Sequence, residues 1–384
     1  MLYALLILHS IIFPMLLSII AFIIVLSILI LVHEFGHFIA AKRAGVWVEE
    51  FGLGLPPRVI GKKIGGTIYS LNYLPFGGFV KLHGENGEGG LKKPTKAFVN
   101  KSKGVKLVIL LGGVIMNFLL AVVAFGIVYS VSGIPREGKD LKIVDISSGS
   151  PAQSAGLLVG DVIKKVGGKD ITNSKEFISL MEEKRGQKTT LEIERDNLGN
   201  KELKQLSITP RENPPENEGP IGVAISNFQI YFPPIWQRPF YGFYYGFKDA
   251  LFWGKQVGGG LISLVTGAFK GQVPEDLTGP VGIYALTAEI SRAGILALVH
   301  FVGVLSVNLA ILNILPFPAL DGGRLLFVVI EIVIRKKVTP KLEAAIHTVG
   351  MAILMVLIFA LTIRDVQRLI SAGSISGFIE SILR

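Results

Sequence analysis

Four long stretches of this chain carry no Asp, Glu, Lys or Arg: the N-terminal run up to Val32, Leu107–Ser132, Ala293–Leu320 and Ala344–Ile363. Crossing roughly 30 Å of hydrocarbon takes a helix of about 20 mostly apolar residues, and each stretch meets that length. The pattern therefore predicts a polytopic α-helical membrane protein with four transmembrane helices. A fifth apolar stretch, Asp249–Lys270, is broken by Lys255 and by Gly258, Gly259 and Gly260. It reads as part of a helical linker over 229–292 that lies on the membrane surface or on the insert.

Between the second and third spans the pattern shortens to that of a soluble domain. Leu141–Ile146 and Val162–Val166 read as strands, Gly167-Gly168-Lys169-Asp170 as a turn, Ser174–Glu183 as a helix and Thr190–Arg195 as another strand. Residues 136–228 are thus expected to form one small inserted α+β domain, with a Pro-, Glu- and Asn-rich linker at Glu212–Pro220 near its end. The remaining divisions are 1–42 for the first helix, 43–106 for a loop, 107–132 for the second helix, 293–323 for the third, 324–343 for a loop and 344–370 for the fourth.

Composition supports the membrane reading: 50% of residues are apolar, 18% are charged and the mean hydropathy is +0.54, unlike an ordinary soluble domain. The chain has no cysteine, which excludes disulfides, thiolate metal sites and a cysteine nucleophile, so a metal would need His, Asp or Glu. A net charge of +10 raises nucleic acid as a partner until the charges are placed. Residues 42–106 hold twelve Lys/Arg against four Asp/Glu, Arg335, Lys336, Lys337 and Lys341 precede the last span, and Arg136–Glu218 is balanced at fourteen basic to fifteen acidic. Basic loops stay on the cytoplasmic side. Both basic loops are therefore expected in the cytoplasm, the insert and both termini outside it, and no nucleic-acid partner is needed. The N-terminus opens without Lys or Arg and stays apolar too long for a cleaved signal peptide, so the first helix is expected to remain.

The chemistry concentrates at His33-Glu34-Phe35-Gly36-His37, at the end of the first span. Residues four apart share a helix face, so both imidazoles can reach one metal with Glu34 beside it, the HExxH pattern of a zinc peptidase. The bland alternative is a pair of histidines capping a helix at the interface. Against it, three ionisable residues within five positions of an apolar helix need a compensating partner. A catalytic zinc takes three protein ligands and leaves a position for water, so a third is required, from His9, His83, His300, His347 or an acid at membrane depth. Asp321 has the most suggestive setting, in Asn313-Ile-Leu-Pro316-Phe-Pro318-Ala-Leu-Asp321-Gly322-Gly323. Two prolines two apart end a regular helix, and broken backbone at membrane depth is tolerated where it is buried or lines a cavity. Asp321 could instead be the N-cap of a helix starting near Arg324.

Together, His33-Glu34-Phe35-Gly36-His37, the Asn313-to-Gly322 motif and the insert between them resemble the site-2 protease family of intramembrane zinc metalloproteases, most closely its bacterial regulator-of-sigma-E protease branch. The resemblance covers nearly the whole chain. It includes Phe51-Gly-Leu-Gly54 and Pro75-Phe-Gly-Gly-Phe-Val-Lys81, similar to that family's membrane re-entrant β-loop, and Leu277–Ile283. Within the insert, Ser150–Asp161, the strand after it and the Gly-Lys-Asp turn resemble a PDZ domain, with Gly219-Pro-Ile-Gly-Val223 similar to its peptide-binding loop in circularly permuted form. Two departures stand out. Gly113-Val-Ile-Met-Asn117 lacks the proline often found in the family's second span, which leaves the role of Asn117 open, and there is one PDZ-like module where the best-known members have two.

The resemblance implies that His33, His37 and Asp321 hold Zn²⁺ and that Glu34 is the catalytic acid and base, on the cytoplasmic side of a plasma (inner) membrane. The strand-like Thr67–Leu82, with Gly77, Gly78 and Phe79, would pair with an extended substrate, while Asn308 and Asn313 would hydrogen-bond its backbone or the oxyanion; an interhelical hydrogen bond is an equal alternative for each Asn. Gly219, Ile221 and Gly222 would bind a peptide end. Implied partners are the bilayer, single-span substrates such as anti-sigma factors or signal-peptide remnants, and an upstream site-1 type protease. A metal-dependent transporter has no need of Glu34 and would be expected to show an inverted repeat, and a non-catalytic scaffold would tolerate loss of any ligand.

Overall fold

The computed structural model describes residues 2–85, 92–197, 199–215, 218–271, 277–336 and 338–383, in two units, 1–131 with 235–384 and 132–234. The larger unit opens with α1 (Leu2–Arg43), followed by β1 (Val48–Ile64), β2 (Thr67–Leu82) and α2 (Lys103–Ser132). The insert contains β3 (Ile134–Ile146), α3 (Pro151–Ser154), β4 (Val162–Val166), β5 (Lys169–Asp170), α4 (Ser174–Glu183), β6 (Thr189–Asn197), β7 (Asn200–Ile208) and β8 (Val223–Tyr231). The larger unit then resumes with α5 (Arg238–Phe269), α6 (Pro280–Arg292), α7 (Ile295–Ile314), α8 (Asp321–Ile334), α9 (Pro340–Ala372) and α10 (Ile375–Leu383).

Among the described residues four helices are long and apolar enough to cross a membrane: Met15–Arg43, Lys103–Ser132, Ile295–Ile314 and Leu342–Ala372. Their outward faces carry large apolar side chains such as Ile24, Val123, Val356 and Phe359, a pattern suited to lipid rather than water. The helices pack through small residues. Gly36 of α1 lies so close to Gly112 of α2 that a methyl group on either would overlap the other's carbonyl, and Gly242 and Gly246 of α5 sit in the same way against Gly126. Small residues one turn apart let backbones approach where lipid offers no hydrophobic drive for association. Ala121, Val122, Phe125, Ala250 and Val307 fill the space where α2, α5 and α7 meet.

Two elements differ from the sequence expectation. The stretch expected to be a loop over 324–343 holds most of α8, because Leu325–Ile334 is apolar enough to form a helix yet too short to span. The glycines of 258–260 do not interrupt α5, which is continuous from Arg238 to Phe269; a glycine lowers helix propensity by about 1 kcal/mol, which a long helix absorbs.

β1 and β2 form an irregular hairpin that lies against α1. Residues of β1 have two neighbours: Phe51 is opposite both Val80 and Tyr69, and Leu53 is opposite both Gly78 and Leu71. The far end of β1 pairs with the start of β2 around Gly65 and Gly66, both at positive φ. Folding the hairpin back in this way leaves Gly78–Leu82 with β1 as its pairing partner on one side. In the insert the sheet order is β7-β6-β4-β3-β8, with β5 paired to β4. Leu141, Ile143, Ile163, Leu191 and Ile193 of this sheet and Phe177 and Met181 of α4 form its core. Asp161, 1% exposed, accepts two hydrogen bonds from the Arg195 guanidinium at 2.7 Å each and one from Leu158 N at 2.8 Å.

Candidate metal centre

α1 runs without interruption through His33–His37, so a four-residue spacing brings both imidazoles to one face. Both are buried, at 6% and 8% exposure. Asp321 reaches them from a different part of the chain. α7 ends at Ile314, Ala319 adopts φ +84°, and α8 begins with Asp321. A left-handed conformation is costly for a residue with a side chain and persists where the surroundings impose it. Those surroundings are visible: Ala319 N–H donates to His347 Nδ1 at 3.0 Å, and Gly322 and Gly323 press against the carbonyls of Leu315 and Phe317 with no room for a side chain. The N-cap of α8 is Leu320, so the Asp321 side chain does not cap the helix.

The three side chains converge. Asp321 Oδ2 lies 2.9 Å from His33 Nε2 and 3.0 Å from His37 Nε2, and the two Nε2 atoms are 3.2 Å apart. Tetrahedral bonds of 2.0–2.1 Å to zinc would separate the donors by about 3.3 Å. Among the described residues this is the one cluster of three side chains suited to a metal, and two imidazoles with one carboxylate are a donor set zinc accepts, leaving a fourth position open. The outer ring atoms are also engaged. His37 Nδ1 is 2.8 Å from the Ile109 carbonyl, which fixes its proton on Nδ1 and frees Nε2 as a ligand. His33 Nδ1 lies 3.2 Å from the Asn117 amide.

Glu34 sits beside the cluster and contributes none of its three donors. The hairpin closes over it: the Val80 amide faces its carboxylate, and a Cβ built on Gly78 would lie 3.8 Å from Glu34 Cγ. Arg324, one turn along α8, pairs with Glu85 just beyond β2.

The other sequence candidates are placed elsewhere. His83 pairs with Glu49 at 2.7 Å and accepts from Lys93 N, His300 is 3.5 Å from Asp249, and His347 holds Ala319. The His9 side chain lies outside the described residues. Asn308 donates to Val304 O of its own helix at 3.0 Å, and Asn313 is buried one residue before the end of α7. In the insert, Gly222 takes φ +70° and the Ile221 side chain belongs to the core. The carbonyls of Gly219, Ile221 and Gly222 are bound by Gly222 N, Ala152 N and Ser147 N.

Sequence reasoning overlooked Gly113. A methyl group there would stand 2.5 Å from both His33 Cε1 and His37 Nε2; the Gly112-Gly113 pair within an apolar span was the available signal. Gly113→Ala should therefore push both rings out of place. Overpacking typically costs 1–3 kcal/mol, so zinc affinity is expected to fall roughly ten- to hundredfold, measured by chelator competition. Unchanged affinity would mean the rings have slack that this geometry denies.

A buried pair of histidines four apart, a carboxylate from a broken helix and a free glutamate alongside define a membrane-embedded metallopeptidase. The sequence profile of peptidase family M50 matches residues 21–357, and the chain belongs to that family, the site-2 proteases. A Clostridium perfringens protein provisionally named a zinc metalloprotease is 36% identical over 340 residues, covering 88% of this chain and 96% of its own. The zinc metalloprotease RasP of Oceanobacillus iheyensis is 30% identical over 431 residues, covering 92% of this chain and 99% of its own. A solved PDZ domain of a Listeria monocytogenes SdrC-like protein aligns to 24% of this chain and 90% of that domain at 19% identity, with a TM-score of 0.20. The protein is a metalloprotease, and zinc is its cofactor.

Proposed function

We propose that this protein is an intramembrane endopeptidase that cuts single-span membrane proteins within or near their transmembrane segment, in regulated proteolysis of substrates such as anti-sigma factors or signal-peptide remnants. The observation that carries this reading is the placement of Glu34 between the three converging donors and the edge of β2, on a helix whose other residues are those of a membrane span.

In this reading His33, His37 and Asp321 hold the metal. Zinc held there would supply Lewis acidity, making water more acidic and a scissile carbonyl more electrophilic. Glu34, beside the three donors, is placed to accept a proton from water and to return it to the leaving amine. A transmembrane helix resists attack because its carbonyls are hydrogen-bonded, so the substrate must be held extended. Gly78 and Phe79, paired on one side with Leu53 and Gly52 of β1, together with Gly77 before them, offer a re-entrant edge to which it adds as a strand. Asn313, and Asn308 once released from Val304 O, supply amide donors to its backbone.

The positive-inside distribution supports an active site toward the cytoplasm and an extracytoplasmic insert in the plasma membrane. We read the insert as PDZ-like on its own topology: β8 follows the Gly219–Val223 loop, lies at the sheet's end and has α4 for a neighbour. That arrangement suits a peptide end exposed by an upstream site-1 type protease. The test is cleavage of a trimmed single-span substrate in proteoliposomes, with the product termini located by mass spectrometry. Zinc-dependent cutting inside the span is expected. Cutting confined to the soluble part of the substrate would overturn the intramembrane reading.

A further inference from the structure

The amide of Asn117 is wholly buried, at 0% exposure, with Nδ2 3.2 Å from His33 Nδ1 and Oδ1 without a partner. The backbone of Asn117 is engaged separately, its carbonyl accepting from Ser306 Oγ at 2.8 Å. His33 presents Nε2 to Asp321 and His37, so that nitrogen must be unprotonated to bind a metal. A neutral imidazole then carries its proton on Nδ1. An N–H on Nδ1 cannot face an amide N–H₂, but it can donate to the amide oxygen, which is the atom left unpartnered. Side-chain amide orientation follows from the hydrogen-bond network, and turning the Asn117 amide by half a rotation puts Oδ1 against Nδ1–H.

We propose that Asn117 is a positioning residue for the metal centre: its amide oxygen holds His33 in the Nδ1–H tautomer when zinc is bound, and its amide N–H₂ donates to Nδ1 when His33 Nε2 is protonated toward Asp321. It matches the Ile109 carbonyl at His37 with one difference. A carbonyl serves a single tautomer, whereas a primary amide serves both by rotating, so the buried His33 stays hydrogen-bonded with or without its metal. The Gly113-to-Asn117 spacing acquires a physical reason: one turn of α2 supplies room for both rings and then an orienting group for one. This inference rests on the reading that His33, His37 and Asp321 are the zinc ligands.

The test is zinc affinity, by chelator competition on the purified full chain in detergent, with the visible spectrum of the cobalt(II) form and the thermal stability of the metal-free form. Loss of an outer-shell partner costs about 10–100-fold in metal affinity, so Asn117→Leu is expected to weaken zinc binding by that factor and to shift the cobalt bands. Asn117→Asp, which keeps the acceptor, should bind zinc at least as tightly as the unaltered protein and still show shifted bands. Ser306→Ala removes the hydrogen bond to the Asn117 carbonyl and should leave affinity unchanged. Unaltered affinity in Asn117→Leu, equal losses in Asn117→Leu and Ser306→Ala, or weaker binding in Asn117→Asp would each overturn the proposal. Should Asn117→Leu fail to fold, the aspartate variant decides alone. Failure of the unaltered protein to hold zinc or cobalt would instead strike the ligand assignment itself.

Discussion

Glu34→Gln is expected to lower the rate of peptide cleavage by about 10²- to 10⁴-fold, the range attributed to a positioned general acid–base, while zinc affinity stays close to that of the unaltered protein. Glutamine has nearly the same shape but cannot take a proton from water. Glu34 is also outside the trio of converging donors, so the two readouts should separate. Steady-state cleavage of a single-span substrate alongside metal analysis checks this. Near-normal cleavage would remove Glu34 from the chemistry, and parallel loss of zinc would make it a ligand.

Asp321→Asn should show the reverse order of effects, with metal lost first and activity following. Zinc binding in structural sites is worth about 10–16 kcal/mol across four ligands, or roughly 3–4 kcal/mol for each. Replacing the anionic donor with a neutral amide is therefore expected to weaken zinc by roughly 10²- to 10³-fold. Excess zinc should restore part of the activity, which it cannot do for Glu34→Gln. A variant that held zinc as tightly as the unaltered protein would mean that the carboxylate 2.9 Å and 3.0 Å from the two imidazoles is not a ligand.

Much of this site was legible because its signals are local. His33 and His37 are one helical turn apart, and the HExxH pattern requires only that α1 be a helix, which its apolar composition ensures. Asp321 was legible for a different reason: Pro316 and Pro318 announce a break, and a break at membrane depth needs a purpose. Its rejected alternative, an N-cap, failed because the cap fell one residue earlier, at Leu320. The strands Val162–Val166 and Thr67–Leu82 and the helix Ser174–Glu183 were legible to the residue, each bounded by glycine, proline or a polar cap.

What escaped depends on contacts between distant segments. Nothing near Ala319 indicates a positive φ; the conformation is imposed by His347 on α9 and by the glycines of α8. Gly113 looks like any small residue in a span until two imidazoles are placed against it. α8 entered the sequence reading only as the helix that Asp321 might cap, because an apolar run of ten residues is ambiguous by length alone; its helix is settled by packing Val328 against Ile109, Leu110 and the hairpin. β7 and β8 were left unassigned although glycines at 199 and 222 punctuate their starts.

The crossing of α1 and α2 at Gly36 and Gly112 has a mechanical consequence. Two backbones in contact leave no side chains to re-rotate, so a slide of one residue along either helix would drive a Cβ into a carbonyl. Both histidines and the groups that orient them, the Ile109 carbonyl and Asn117, lie on this seam. Two of the three donors are therefore built on a joint that resists sliding, and Asp321 reaches them from a separate segment of the chain.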